Sequence, residues 1–462
     1  MSTSMDTKIE PPPLHRFRDA TYRGHGARTC AEPDEELVRV GPGTPCGEYL
    51  RRFWHPVALS SEIADLPAAI RILGEDLVVF RDGEGRVGLV HRRCPHRRAS
   101  LEYGTCRERG IRCCYHGWRF DVDGALLEAP GQPPEAEERL KRRVRLGAYP
   151  AFECRGLVFA FLGPPEEMPE FPVCDTFELP DMALVPYRAP FRCNWLQVLD
   201  AILDPIHTSF LHSSISREQF SAGFGEVGRM DFFDRAAWLM GTNTRRVGEN
   251  VWFRVNELVL PNFTQAGAAF ATDGTKQRYY GRTAFVRWVV PVDDENTTAL
   301  AWACFGERGD PPEWNTPEGP ELIEQGEVFD RPYERRQRFP GDAEAVEGMG
   351  RITVHAEEHL APSDKGVAIM RRRLREQIRA VAAGEQPLRV TDLAPNPVPT
   401  YGGDSVLTIP RNGAADESER FSRLAHAFMQ MQFDADPLPE PERVAHVTER
   451  LQALEAGGGA AG

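Results

Sequence analysis

Two short segments place cysteine and histidine at ligand spacing. Residues 94–97 read Cys94-Pro95-His96-Arg97, and residues 113–118 read Cys113-Cys114-Tyr115-His116-Gly117-Trp118. Thiolates and neutral imidazoles bind both zinc and iron. Three readings are open: unrelated loop residues, a structural Cys2His2 zinc site, or a [2Fe–2S] cluster with two cysteines on one iron and two histidines on the other. Zinc fingers pair like ligands, C-x-x-C with H-x-x-x-H. Here each half supplies one cysteine and one histidine, so each loop gives one ligand to each iron. Cys106 and Cys114 lie nearby and read as spare thiols, because the spacing to His116 favours Cys113.

A second constellation lies downstream, where Asp204, His207 and His212 form D-x-x-H-x-x-x-x-H. Asp204 and His207, three apart, share a face on a helix. His207 and His212 are five apart, about 140° off on a regular helix of 3.6 residues per turn. Both reach one metal only if the helix breaks or bulges, which Pro205 and a π-type turn would supply. The bland alternative is an N-capping Asp with two histidines near a helix end.

The elements that must position these residues are short. Apolar runs such as Ile70–Leu73, Leu77–Phe80 and Val87–Val90 are separated by Asp-Gly and Glu-Gly turns, which predicts a small antiparallel β domain. The run GLVFAFLG, residues 156–163, closes it, and a Pro/Glu-rich linker follows from Pro164 to Pro172. Residues 194–211 read as a broken helix. Strand-like runs follow at 251–255, 284–290 and 298–305. Residues 364–383 read as an amphipathic helix, with Val367, Met370, Leu374 and Ile378 on one side and Arg371, Arg372, Arg373 and Arg375 mostly on the other. The fold class is α+β. The 462 residues carry 55 basic and 69 acidic side chains, a net charge of −14, which argues against a nucleic-acid footprint. No apolar run approaches the ~20 residues of a membrane helix. No secretory signal is visible, so a cytoplasmic location is expected, with most of the ten cysteines as free thiols.

The CPHR and CxYHGW segments together resemble the Rieske domain of the Rieske non-haem iron ring-hydroxylating oxygenases, in the catalytic α subunit. The downstream D-x-x-H-x-x-x-x-H resembles the same family's mononuclear iron motif. By that resemblance Cys94 and Cys113 hold one iron of the [2Fe–2S] cluster and His96 and His116 the other. His207 and His212 then ligate a mononuclear Fe(II), and Asp204 is the carboxylate bridging the cluster of one subunit to the iron of its neighbour. Residues 341–364, with Glu358-His359-Leu360 before Ser363-Asp364, resemble the phthalate-dioxygenase branch. This makes Asp342 the third iron ligand, with Glu344 and Glu347 as rivals and His355 and His359 structural. Asp200 stands where the family often has Glu or Asn.

The resemblance implies an N-terminal all-β Rieske domain and a C-terminal helix-grip catalytic domain, an antiparallel sheet with helices. The boundaries read as an N-terminal arm at 1–40, the Rieske domain at 41–165, a linker at 166–182, the catalytic domain at 183–410 and a C-terminal helical extension and tail at 411–462. The expected activity is O2-dependent hydroxylation, dihydroxylation or O-demethylation of an aromatic, carboxylated substrate. Without a Gly-rich dinucleotide loop, the chain needs electrons from a separate NAD(P)H-dependent reductase, with or without a ferredoxin. A homotrimer or hexamer is implied. Arg282, Arg287 and Arg351 are candidate carboxylate clamps, and residues between Phe210 and Phe233 and around Trp288 candidate pocket walls. The competing classes are a Rieske electron carrier without oxygenase activity and a zinc-stabilised binding protein.

Overall fold

The computed structural model describes residues 24, 31–179, 182–215, 222–267, 279–306, 331–411, 413 and 417–459. Most of the expected N-terminal arm and the last three residues of the tail lie outside them.

The N-terminal β region consists of three small antiparallel sheets. One joins Trp54–Leu59, Leu157–Phe161 and Ala151–Cys154. The second runs Ala68–Ile72, Glu75–Arg81, Val87–His91 and Ala148–Tyr149. The third is made of two- and three-residue strands, Thr105–Cys106, Ile111–Arg112, Arg119–Phe120 and Leu126–Glu128. A compact apolar cluster containing Val78, Phe80, Leu101, Ile111, Trp118 and Phe120 fills the space beneath this third sheet and also takes in Cys94 and Cys113.

The larger region is built on an eight-stranded antiparallel sheet. Its path runs Met182–Phe191, Asn296–Gly306, Thr283–Asp293, Phe263–Gly267, Asn250–Val259, Trp238–Val247 and Arg229–Arg235, with Gly403–Thr408 paired to the first part of Asn250–Val259. The amphipathic helix spans Lys365–Ala382, with Val367, Met370, Leu374 and Ile378 buried as expected. Arg371 departs from its expected place on the polar side. It is buried, and its guanidinium is held by Asp200 at 2.5 and 3.1 Å and by Glu358 at 2.5 and 3.1 Å. Two further helices, Ser418–Asp434 and Glu442–Ala456, follow in the C-terminal segment.

The segment expected to be an extended arm is different where it is described. Glu35–Val38 is a helical turn with Leu37 and Val38 fully buried. Trp195 Nε1 donates to the Leu37 carbonyl at 3.1 Å, and Asn194 Nδ2 donates to the Val38 carbonyl at 2.9 Å. Asp34 and Glu36 pair with Arg375 and Arg379 of the long helix. Two apolar residues in a polar stretch suffice, because this turn is anchored by partners far away in sequence.

Candidate functional site

The two Cys/His segments adopt the same turn. The Cys94 N–H donates to Ala99 O at 2.9 Å and the Arg98 N–H to Cys94 O at 2.8 Å. In the second loop, the Cys113 N–H donates to Trp118 O at 2.8 Å and the Gly117 N–H to Cys113 O at 3.1 Å. Each turn closes on a left-handed residue, Arg98 at φ 65° and Gly117 at φ 71°. A glycine meets that demand without strain, and an arginine there is uncommon.

The two loops face each other. Cys94 and Cys113 are buried, unbridged thiols directed at one another. His96 and His116 sit on the outer side, partly exposed, with ring centroids 4.6 Å apart. Trp118 stacks on His96 at 4.4 Å and 2° between planes, which fixes that ring. Burial pushes the Cys94 thiol up to about 11, opposed by N–H groups of His96 and Arg97 aimed at its sulfur. Such donors favour a thiolate once a metal supplies the compensating charge. Paired inner sulfurs and paired outer imidazoles fit a [2Fe–2S] cluster better than a single tetrahedral ion. Cys106 is half-buried and Cys114 exposed.

The second constellation is shaped by irregular helix. Trp195–Asp200 is α-helical and capped by the Asn194 side chain. A 3-10 turn covers Ala201–Leu203, a short helix Ile206–Ser209, and a π-helix Phe210–Ile215. The π-helix brings His212 back toward His207, with ring centroids 5.4 Å apart. Asp342, the first residue of helix Asp342–Gly348, completes the group. One donor atom from each of His207, His212 and Asp342 lies within 4.8 Å of the others, the only such set among the described residues. Asp342 Oδ1 is 3.2 Å from His212 Nε2 and 3.8 Å from His207 Nε2. Burial alone would raise the Asp342 pKa; His212, His207 and Arg287 outweigh it and hold the carboxyl well below its usual range.

His207 Nδ1 hydrogen-bonds the Asp204 carbonyl oxygen. A carbonyl only accepts, so Nδ1 carries the proton and Nε2 presents its lone pair toward Asp342 and His212. The Asp204 carboxylate stands 3.7 Å from the same nitrogen. Asp204 itself is non-helical, at φ −116° and ψ 79°, so its contact with His207 comes from an interruption of the helix before Pro205 and not from a shared helix face. Two imidazoles and a carboxylate on one side of an ion suit ferrous iron and leave positions for O2 and substrate. The rival carboxylates are engaged elsewhere: Glu344 pairs with Arg331 at 2.5 Å and caps Gly341 N, and Glu347 accepts from Arg192 N at 2.7 Å.

These three residues line a cavity of about 90 Å³, with Val198, Ile202, Phe224, Ala284, Phe285 and Val289 as apolar walls. Arg287 lines it as expected. Arg282 does not, because it is buried in an ion pair with Asp175 at 2.7 Å. Arg351 is exposed and donates to the Arg192 carbonyl. Trp288 belongs to a separate cavity beside Trp54, Phe177 and Phe263. The sequence reasoning missed Arg254 and Asn256, which face the metal-site cavity from strand Asn250–Val259. Their signal was present, as two polar residues spaced by two within a strand otherwise rich in apolar residues. His355 keeps both ring nitrogens buried without a hydrogen-bond partner among the described residues, and His359 is exposed.

Residues 53–150 match the Rieske [2Fe-2S] domain family. The oxygenase subunit of tert-butanol monooxygenase / tert-amyl alcohol desaturase from Aquincola tertiaricarbonis is 43% identical over 456 residues, covering 94% of this chain and 96% of the relative. The alpha subunit of phenoxybenzoate dioxygenase from Ectopseudomonas oleovorans is 40% identical, covering 78% of this chain and 88% of that one. Dicamba monooxygenase bound to dicamba shares the fold, with a TM-score of 0.57 at 17% identity, over 72% of this chain and 99% of that chain.

Proposed function

The chain belongs to the Rieske-type oxygenases as an oxygenase subunit, and from that premise we propose that it uses O2 to hydroxylate, dihydroxylate or O-demethylate an aromatic, carboxylated substrate. Electrons come from a separate NAD(P)H-dependent reductase, with or without a ferredoxin. The observation that carries the reading is the convergence of His207, His212 and Asp342 on a largely apolar cavity.

Cys94, His96, Cys113 and His116 would hold the cluster, and His207, His212 and Asp342 the mononuclear iron; together these groups supply single electrons and the activation of O2. The protein's own part is orientation. The Asp204 carbonyl fixes the His207 tautomer. Trp118 fixes the His96 ring. The apolar walls keep bulk water from the reacting carbon and admit a flat ring. Asp204, about one third exposed, is available to a histidine of a neighbouring subunit's cluster in a homotrimer or hexamer, where it would join the two centres by hydrogen bonds.

A second reading rests on the 43% identical relative, which is named for tert-butanol and tert-amyl alcohol. Hydroxylation or desaturation of a small tertiary alcohol is its content. Protein reconstituted anaerobically with iron and sulfide, a surrogate reductase and NADH tests both. A panel of aromatic acids, aryl ethers and tertiary alcohols should yield product matched to O2 consumed by one class. A reducible cluster with no mononuclear iron and no product from any class would leave an electron carrier instead.

A further inference from the structure

Two buried guanidinium groups lie at and behind the wall of the metal-site cavity. Arg254 and Arg245 are 6% and 1% exposed and sit on adjacent paired strands, opposite Asn243 and Trp252 respectively. Both guanidinium carbons lie 5.4 Å from the centre of the same ring, Phe224, and Arg245 is 5.0 Å from that of Trp252. Among the described residues Arg254 has no carboxylate in ion-pair contact, although Asp404 and Asp342 act on it from further off. Among the described residues it hydrogen-bonds from Nη1 to Asn256 Oδ1 at 2.7 Å, and its buried Nε finds no partner there. Arg245 reaches the Gly223 and Phe224 carbonyls, and its Nε and Nη2 find no partner among the described residues. The Asn243 side-chain amide beside them likewise has no hydrogen-bond partner among the described residues. Buried charge of one sign with idle donors is costly, and a native fold retains it where something else completes it. Burial pushes Arg254 down to about 10, with Asp404 and Asp342 opposing the shift. Asp342's charge would be spent on a metal when one is bound.

Of the two, Arg254 faces the cavity. It is also pre-aimed: Asn256 accepts from it and donates through Nδ2 to the Ile202 carbonyl at 2.9 Å. That carbonyl belongs to the turn leading into Asp204 and His207. We infer that Arg254, steadied by Asn256 and backed by Arg245, is the specificity-determining residue that anchors a carboxylate of the substrate across the cavity from His207, His212 and Asp342. The inference rests on the oxygenase reading for its reaction, and on the buried guanidinium alone for its binding preference. It selects aromatic acids over neutral tertiary alcohols. A carboxylate takes two parallel N–H donors from one guanidinium, so anchoring also fixes which ring carbon faces the iron ligands.

The test is equilibrium binding by titration calorimetry to the iron- and cluster-loaded protein, with 3-methoxybenzoate and 3-phenoxybenzoate as probes and their primary amides as neutral counterparts. The acids should bind at least tenfold more tightly than the amides. Arg254→Gln should erase that gap, and Arg254→Lys should keep only part of it, because a single ammonium cannot pair with both oxygens. Equal binding of acid and amide by the unaltered protein would overturn the inference, whatever the variants do. So would loss of the gap in Arg287→Gln with its retention in Arg254→Gln. An acid preference that depends on Arg254, in protein that forms no product, upholds the anchor while the oxygenase reading fails.

Discussion

The backbone carbonyl of Asp204 and the Nδ1 of His207 are hydrogen-bonded, while the Asp204 carboxylate stays 3.7 Å from that nitrogen. The main chain therefore sets the imidazole tautomer, and the side chain keeps an oxygen for another partner. Asp204→Asn should keep the mononuclear iron and the cluster in full yet lower coupled turnover by about 100-fold, at the upper end of effects for groups that orient metal ligands. Iron and acid-labile sulfide content, measured alongside product formation, separate this from metal loss. Normal turnover would end the bridging role.

The carboxylates near the two histidines differ in their commitments. Asp342 faces both imidazoles, whereas Glu344 is tied to Arg331 and the Gly341 N–H. Asp342→Ala should release the mononuclear iron and spare the cluster, with its EPR signal on reduction unchanged. Glu344→Gln should retain both. Iron analysis that showed the reverse would move the third ligand to Glu344.

The histidine spacing made the bulge legible, since two histidines five positions apart on one helix reach the same ion only with extra backbone. The π-helix Phe210–Ile215 is that extra backbone. Asp342 was harder to single out among neighbouring acids, because what separates it from Glu344 and Glu347 is their partners, Arg331 and the Arg192 N–H. Arg282 was misread for a similar reason. Its strand context resembles that of Arg287, and only the buried Asp175, contributed by a distant turn, takes it away from the cavity. Leu37 and Val38 were passed over within a polar stretch, although Trp195 and Asn194 draw that turn into the core. Local pattern predicts elements and ligand spacing; it does not predict which long-range partner claims a charge.

Glu257 offers a pH test away from the metals. It is fully buried, and its Oε2 accepts from the Tyr401 and Gly402 N–H groups at 2.9 Å each. Burial, partly offset by those bonds, raises its pKa from 4.5 to about 7. The folded state thus holds this proton more tightly than the unfolded chain. Its contribution is complete below pH 4.5 and is lost as pH rises through 7. By ~1.4 kcal/mol per pKa unit, the loss reaches about 3 kcal/mol in alkaline solution. Glu257→Gln removes the ionisation and should abolish that part of the slope. Urea unfolding from pH 4.5 to 9 checks it, and parallel slopes for the two proteins would contradict it.

Gly366, the second residue of the long helix, stands where no side chain fits. A Cβ there would lie 2.3 Å from Phe232 Cε1 and 2.6 Å from the Leu203 carbonyl oxygen. The phenyl ring could turn aside, but the carbonyl is backbone, and the next residue is Asp204. Gly366→Ala must push the 3-10 turn Ala201–Leu203 away from the helix. Overpacking of this kind costs about 1–3 kcal/mol. Displacing the turn also moves the Asp204 carbonyl that orients His207 and the Ile202 carbonyl that receives Asn256. Turnover should therefore fall by about tenfold or more, since small misplacements are expensive in catalysis, while the cluster, held on a separate sheet, keeps its EPR signal. Urea unfolding and coupled turnover measured on the same preparation test both halves. A variant as stable and active as the parent would show that the helix and the turn are free to separate.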